Sequence, residues 1–171
     1  MWRKVDRGVF PGSSSNHHLG TLAQLALSVA EFMEFGTAYA AQICKNARAL
    51  GTALDREGFT VAAKEFDYTR SHQVAVNVRG LGGGAPVSTR LEQNDIILNM
   101  NMLPHEPLKN HMNPDGLRIG VSEMTRVGMQ EADMDRIAEL MRECLIDGKE
   151  VKQEVNAFRS RFQQIHYSFD S

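Results

Sequence analysis

Arg118 stands in the pentapeptide Gly116-Leu117-Arg118-Ile119-Gly120, where apolar and polar positions alternate. Side chains of an extended chain point to opposite faces in turn. Leu117, Ile119 and Val121 therefore share one side of a short strand, and Arg118, Gly120 and Ser122 share the other. A guanidinium presents a rigid planar fork of donors that meets a carboxylate two bonds at a time, which lysine does not reproduce. With a glycine on each flank to leave room for a ligand, Arg118 is the candidate carboxylate clamp. A solvated surface arginine would occupy the same kind of position. A second candidate is the run Gly12-Ser13-Ser14-Ser15-Asn16-His17-His18, which leads into a helix. Unpaired N–H groups and the helix dipole favour an anion such as a phosphate there. Ser15 or Asn16 acting as a simple helix cap would leave the same pattern.

Other residue types point to less. The side chains of His17 and His18 diverge at a helix start with no acidic or cysteine ligand at a useful spacing, so no zinc site is expected. His105 and His111 lie in a long polar loop, where a histidine is a ligand, a proton carrier or simply solvated. Cys44 and Cys144 have neither metal-ligand spacing nor a CxxC pair and read as reduced thiols packed as small hydrophobes. The nine methionines read as core filling. No serine, histidine and acid set suggests a triad.

The elements that must position these residues follow from periodicity. Residues 1–18 are rich in turn formers and read as a loop. From Leu19 to about Glu34, Leu22, Ala26, Val29 and Met33 recur at helical spacing, widened by Leu25 and Phe32. Gly36 and Thr37 are expected to interrupt this helix, and a second one carries Ile43, Ala47, Leu50 and Leu54 to about Glu57, with Gly58 at its stop. Strands are expected at Thr60 to Ala63 and at Gln73 to Arg79, paired antiparallel. Gly80 to Pro86 reads as a glycine-rich turn that opens no helix directly, which argues against a nucleotide loop. Ile96-Ile97-Leu98 reads as a short buried strand, and Asn99 to Pro114 as a polar loop with three prolines. After the Arg118 strand, Met134, Ile137, Met141 and Cys144 mark one helix, ended by Asp147 and Gly148, and Val151, Val155, Phe158 and Phe162 mark another. This order suggests an α+β layer, a small mixed or antiparallel sheet covered by helices, with the first long helix as a brace outside it.

At 171 residues, 42% apolar and with a net charge of −2, the chain is long enough to bury a core. Its 19 basic residues nearly balance 21 acidic ones, and no basic stripe is interleaved with aromatics, so no nucleic-acid partner is expected. No apolar run approaches the roughly 18 residues of a membrane span, and the N-terminus lacks the apolar core of a signal peptide. The expectation is a cytoplasmic protein without a membrane partner.

Several segments carry a resemblance. Val9-Phe10-Pro11-Gly12, Ser15-Asn16-His17-His18-Leu19, Ile96-Ile97-Leu98-Asn99, the Gly116 to Gly120 strand and Thr125-Arg126 are similar in order and spacing to serine hydroxymethyltransferase. The likeness runs from about Val5 to the end, including the tail Ile165-His166-Tyr167-Ser168-Phe169-Asp170. Ser14-Ser15-Asn16-His17 follows Phe-Pro-Gly where bacterial members carry Gln-Gly-Gly-Pro, a pattern similar to the archaeal-type enzymes.

What the resemblance implies is the C-terminal portion of such an enzyme. Its fold would be α+β, the C-terminal small domain of the fold type I, aspartate-aminotransferase-like, PLP-dependent transferase fold. Residues 1–36 would end the large domain with the cofactor-phosphate loop and the brace helix, and residues 37–171 would form the small domain. The implied cofactor is pyridoxal 5'-phosphate, an electron sink. The implied reaction moves a one-carbon unit from serine to a reduced pterin, tetrahydrofolate or tetrahydromethanopterin, leaving glycine and the methylene-pterin, in a homodimer. By resemblance Arg118 binds the α-carboxylate of serine or glycine. The backbone of Ser15 and Asn16 approaches the cofactor phosphate of the partner subunit, and Asn101 to Pro114 lines the pterin entrance. The family's Schiff-base lysine, pyridine-nitrogen aspartate, ring-stacking histidine and proton-transfer glutamate belong to the large domain, and no lysine here matches that context. These residues alone are therefore expected to be inactive. Met100 stands where the family commonly has lysine between two asparagines, and Val121-Ser122 replaces a more usual Thr-containing pair. These departures keep two alternatives in view. One is a related PLP aldolase or transaldolase acting on another β-hydroxy amino acid. The other is a non-catalytic truncated paralogue that binds a carboxylate or pairs with a full-length partner. An isolated chain would expose the apolar stripe of the Leu19 to Glu34 helix and self-associate.

Overall fold

The structure is a computed structural model and describes residues 1–14, 16, 18–104 and 106–169. The chain divides into two compact units, Met1–Gly36 and Thr37–Ser171.

The first unit begins with a helix, α1 (Trp2–Arg7), followed by a helical segment, Gly8–Ser13, in which Phe10 and Pro11 leave helical geometry. This corrects the expectation of a loop from the first residue. The turn formers cluster from Pro11 onward, and nothing in Trp2–Arg7 forbids a helix. The next helix, α2, runs unbroken over 38 residues, Leu19–Arg56, and the division between the units falls within it. The expected break at Gly36 and Thr37 does not occur. One glycine costs a helix only about 1 kcal/mol relative to alanine, and this one accommodates a neighbour, since a Cβ at Gly36 would come within 3.1 Å of the Phe32 ring.

The second unit is built on a four-stranded antiparallel sheet of β1 (Thr60–Val61), β2 (Gln73–Asn77), β3 (Asn99–Asn101) and β4 (Gly116–Gly120), in the order β1-β2-β4-β3. The expected antiparallel pair β1 and β2 is present. Valine and isoleucine at alternate positions build one apolar face: Val61 pairs with Val76, Val76 with Leu117, and Val74 with Ile119. That face joins a single core with Ala47, Leu50 and Leu54 of α2, Leu91 of α3 (Gly84–Gln93), and Met134, Ala138 and Met141 of α5 (Glu131–Leu145). A short helix, α4 (Ser122–Arg126), follows β4, and α6 (Lys152–Arg159) closes the unit.

Two expectations in this unit are corrected. The glycine-rich turn does open a helix: after a 3-10 turn at Arg79–Leu81, α3 starts at Gly84, with Pro86 in its first turn, where a missing N–H breaks no helical bond. The glycines serve packing. Gly83 has φ +92, and a Cβ on it would lie 2.6 Å from Asn113 Oδ1, whose amide receives the Ala85 N–H and donates to Gly82 O. The edge strand lies at Asn99–Asn101 and not at Ile96–Leu98. Ile97 is 84% exposed, while Ile96 and Leu98 pack partly against the core before pairing with β4 begins.

Between β4 and α2 a buried polar cluster fixes α4. The Asn46 side-chain amide donates to Thr125 Oγ1 at 2.9 Å and to Met129 O at 2.8 Å, and Thr125 Oγ1 donates to Val121 O. Asn46 and Thr125 are fully buried, so these bonds replace water that neither side chain can reach.

Candidate functional site

The strand β4 presents its residues as the alternation predicts. Leu117, Ile119 and the following Val121 are buried, whereas Arg118 and Gly120 are exposed. Arg118 pairs in register with Ala75 on one side and Asn99 on the other, so its guanidinium rises from a face whose nearest cross-strand neighbours are a methyl group and a carboxamide. Among the described residues it has no ion-pair or hydrogen-bond partner, unlike Arg56, Arg90, Arg136 and Arg142, which are all ion-paired.

The two flanking glycines differ. Gly120 faces open space, because a Cβ there would meet nothing within 4 Å. Gly116 does not: a Cβ would lie 2.7 Å from Asn101 O and from Leu103 Cγ. The sheet face is therefore open on the Gly120 side of Arg118 and walled on the Gly116 side. Met100 pairs with Leu117 and lies on the opposite face from Arg118, against Gly84, where a Cβ would be 2.8 Å from Met100 Cβ. Met100 thus lies on the other side of the sheet from Arg118.

The second candidate lies in the first unit. Ser15 and His17 fall outside the described residues. Asn16 is exposed, in non-helical backbone three residues before α2 begins. The Leu22 N–H bonds to His18 O, which makes His18 the cap position by backbone pairing and leaves the first-turn N–H groups of α2 ahead of Leu22. No acidic residue occupies that turn. His105 also lies outside the described residues, and His111 is exposed with Nδ1 3.1 Å from Leu108 O. Among the described residues no three histidine, cysteine, aspartate or glutamate side chains form a metal-binding group. Cys144 is buried, and desolvation pushes its thiol up.

Glu106, Asn113, Asn46 and Thr125 organise the surroundings of β4, and sequence reasoning gave none of them a role. Asn46 beside Ala47 on an apolar helix face was the one available signal, a polar residue where the stripe calls for a buried one.

Comparison with known proteins defines the class. The structure resembles that of L-threonine transaldolase from Pseudomonas fluorescens, solved in its internal aldimine state, with a TM-score of 0.83 and 30% sequence identity over 94% of this chain and 37% of that one. The fold is thus the C-terminal α+β portion of a fold type I PLP-dependent transferase. The family model for serine hydroxymethyltransferase matches residues 1–141, and the chain belongs to that family. Relatives named serine hydroxymethyltransferase are similar along nearly the whole chain. The one from Thermococcus onnurineus is 50% identical over 98% of this chain. Those from Sulfolobus acidocaldarius and Methanothermobacter marburgensis are 48% and 45% identical over 99% and 97% of it. The chain spans about two fifths of the length of these relatives.

Proposed function

We propose that these residues are the C-terminal part of a PLP-dependent serine hydroxymethyltransferase, and that Arg118 binds the α-carboxylate of serine or glycine. The observation that carries this reading is the open guanidinium of Arg118, unpaired among the described residues and flanked by Ala75 and the free space beside Gly120. When bound, pyridoxal phosphate supplies the electron sink for cleaving the serine side chain. Among the described residues those that suit it lie at its phosphate end: the acid-free first turn of α2 and the exposed backbone at Asn16 offer N–H donors to a dianion, the role proposed for Ser15 as well by the family's pattern. None of the six lysines stands in the sequence context of the family's Schiff-base lysine. All six lysines are exposed, and Lys64, Lys149 and Lys152 are ion-paired with Asp55, Asp147 and Asp95. The residues of this chain orient substrate, and the proton-moving groups belong to the upstream part of the family's fold, so these 171 residues by themselves are inactive. The one-carbon acceptor is a reduced pterin, tetrahydrofolate or tetrahydromethanopterin, and the working assembly is a homodimer in the cytoplasm.

A transaldolase acting on another β-hydroxy amino acid fits less well, since the transaldolase is 30% identical and the hydroxymethyltransferases 45–50%. The test is a complete enzyme in which this chain replaces the matching two fifths of the Methanothermobacter marburgensis relative. Arg118→Ala should weaken serine binding by roughly 2 to 4 kcal/mol, the range for truncating one partner of a desolvated pair. Arg118→Lys should recover only part of it, because an ammonium lacks the planar fork. An unchanged KM for serine in Arg118→Ala overturns the assignment.

A further inference from the structure

Glu106 is half-buried in the segment between β3 and β4 and takes two backbone donors at once. Its Oε2 accepts the Leu103 N–H at 3.0 Å, and its Oε1 accepts the Asp115 N–H at 2.9 Å. The Glu106 N–H returns to Leu103 O at 3.2 Å. One carboxylate thus ties the start of this segment to the residue immediately before β4. The side chain it holds in place is the wall of the site: Leu103 lies over Gly116, two residues along β4 from Arg118 and on the same face. An apolar side chain on that face limits the water that approaches Arg118 from the Gly116 side, and so strengthens an ion pair formed there.

We infer that Glu106 is a positioning residue for the substrate carboxylate, holding Leu103 over Gly116 and fixing the start of β4 through Asp115. This role rests on the reading of Arg118 as the clamp. The carboxylate form is required, because it offers an acceptor to each N–H, whereas a carboxamide would turn its own NH₂ toward one of them. Burial works to raise the Glu106 pKa, but the Leu103 and Asp115 N–H groups, with Asn110 and Arg79, outweigh it and hold the carboxyl below its ordinary range. The bridge is therefore intact at neutral pH.

The complete enzyme described above provides the test. Glu106→Gln should raise KM for serine roughly tenfold with kcat kept within about twofold, the signature of lost ground-state positioning. Amide exchange at Leu103 and Asp115 should speed up in the same variant. Leu103→Ala removes the wall but leaves the bridge, and should raise KM while both amides stay protected. A fall in kcat with KM unchanged, or an unchanged KM in Glu106→Gln, overturns the role. Arg118→Ala measured alongside separates the two claims. If it raises KM and Glu106→Gln does not, the Glu106 role alone fails. If neither raises KM, the clamp fails and this role with it.

Discussion

At the scale of single residues, the sequence was most legible where period and chemistry coincide. The alternation Leu117, Arg118, Ile119 fixed which side chain faces out, and the structure places all three as that period requires. Residues whose work depends on partners far along the chain were not legible. Asn46 meets Thr125 and Met129, some 80 positions away, and Gly83 meets Asn113. Both now carry predictions. Asn46→Ala leaves the buried Thr125 hydroxyl and Met129 carbonyl short of a donor and should cost about 1–3 kcal/mol in a denaturant titration. Gly83→Ala combines a left-handed backbone with a Cβ against the Asn113 carboxamide and should cost about 1–3 kcal/mol. A variant of either kind as stable as the parent would show that the contact is not needed for the fold.

At the scale of elements, helices with strong apolar periods were found, and their boundaries were set by geometry the period does not contain. α2 continues through Gly36 because helix on both sides outweighs one glycine, and α3 begins inside a glycine-rich turn because Pro86 falls in its first turn. The edge strand moved three residues because its partner β4 chose the register. Carboxylates join several of these elements. Asp55 at the end of α2 is held below its ordinary pKa by the hydrogen bond from Lys64. Asp95 after α3 is held low by Asn156 and Lys152 of α6. Glu131 of α5 is held low by its own backbone N–H and by Gln42 of α2. A carboxyl whose folded pKa is depressed contributes stability above its unfolded value and loses it as pH falls through the folded one. The chain should therefore weaken progressively as pH drops below about 4.5. Asp95→Asn should flatten part of that slope. Urea midpoints at pH 7, 4 and 3 measure it, and a midpoint constant across them contradicts the linkage. These groups lie near the surface, so each contribution is small.

At the scale of the whole molecule, the chain carries a full core for its second unit, while the first exposes Leu22, Leu25, Val29, Phe32 and Met33 at 50% or more. Apolar area of that extent predicts concentration-dependent self-association of the isolated chain. Sedimentation should show it, and a monomer at all concentrations would contradict it. Among the described residues no helix is long and apolar enough to cross a membrane. The central claim is that this sequence supplies the substrate-carboxylate half of a serine hydroxymethyltransferase, and it is tested most directly by glycine formation from serine and tetrahydrofolate, or tetrahydromethanopterin, in the enzyme completed from the Methanothermobacter marburgensis relative. The account predicts turnover that depends on Arg118. A folded, cofactor-loaded enzyme that releases no glycine from serine with either pterin would contradict it.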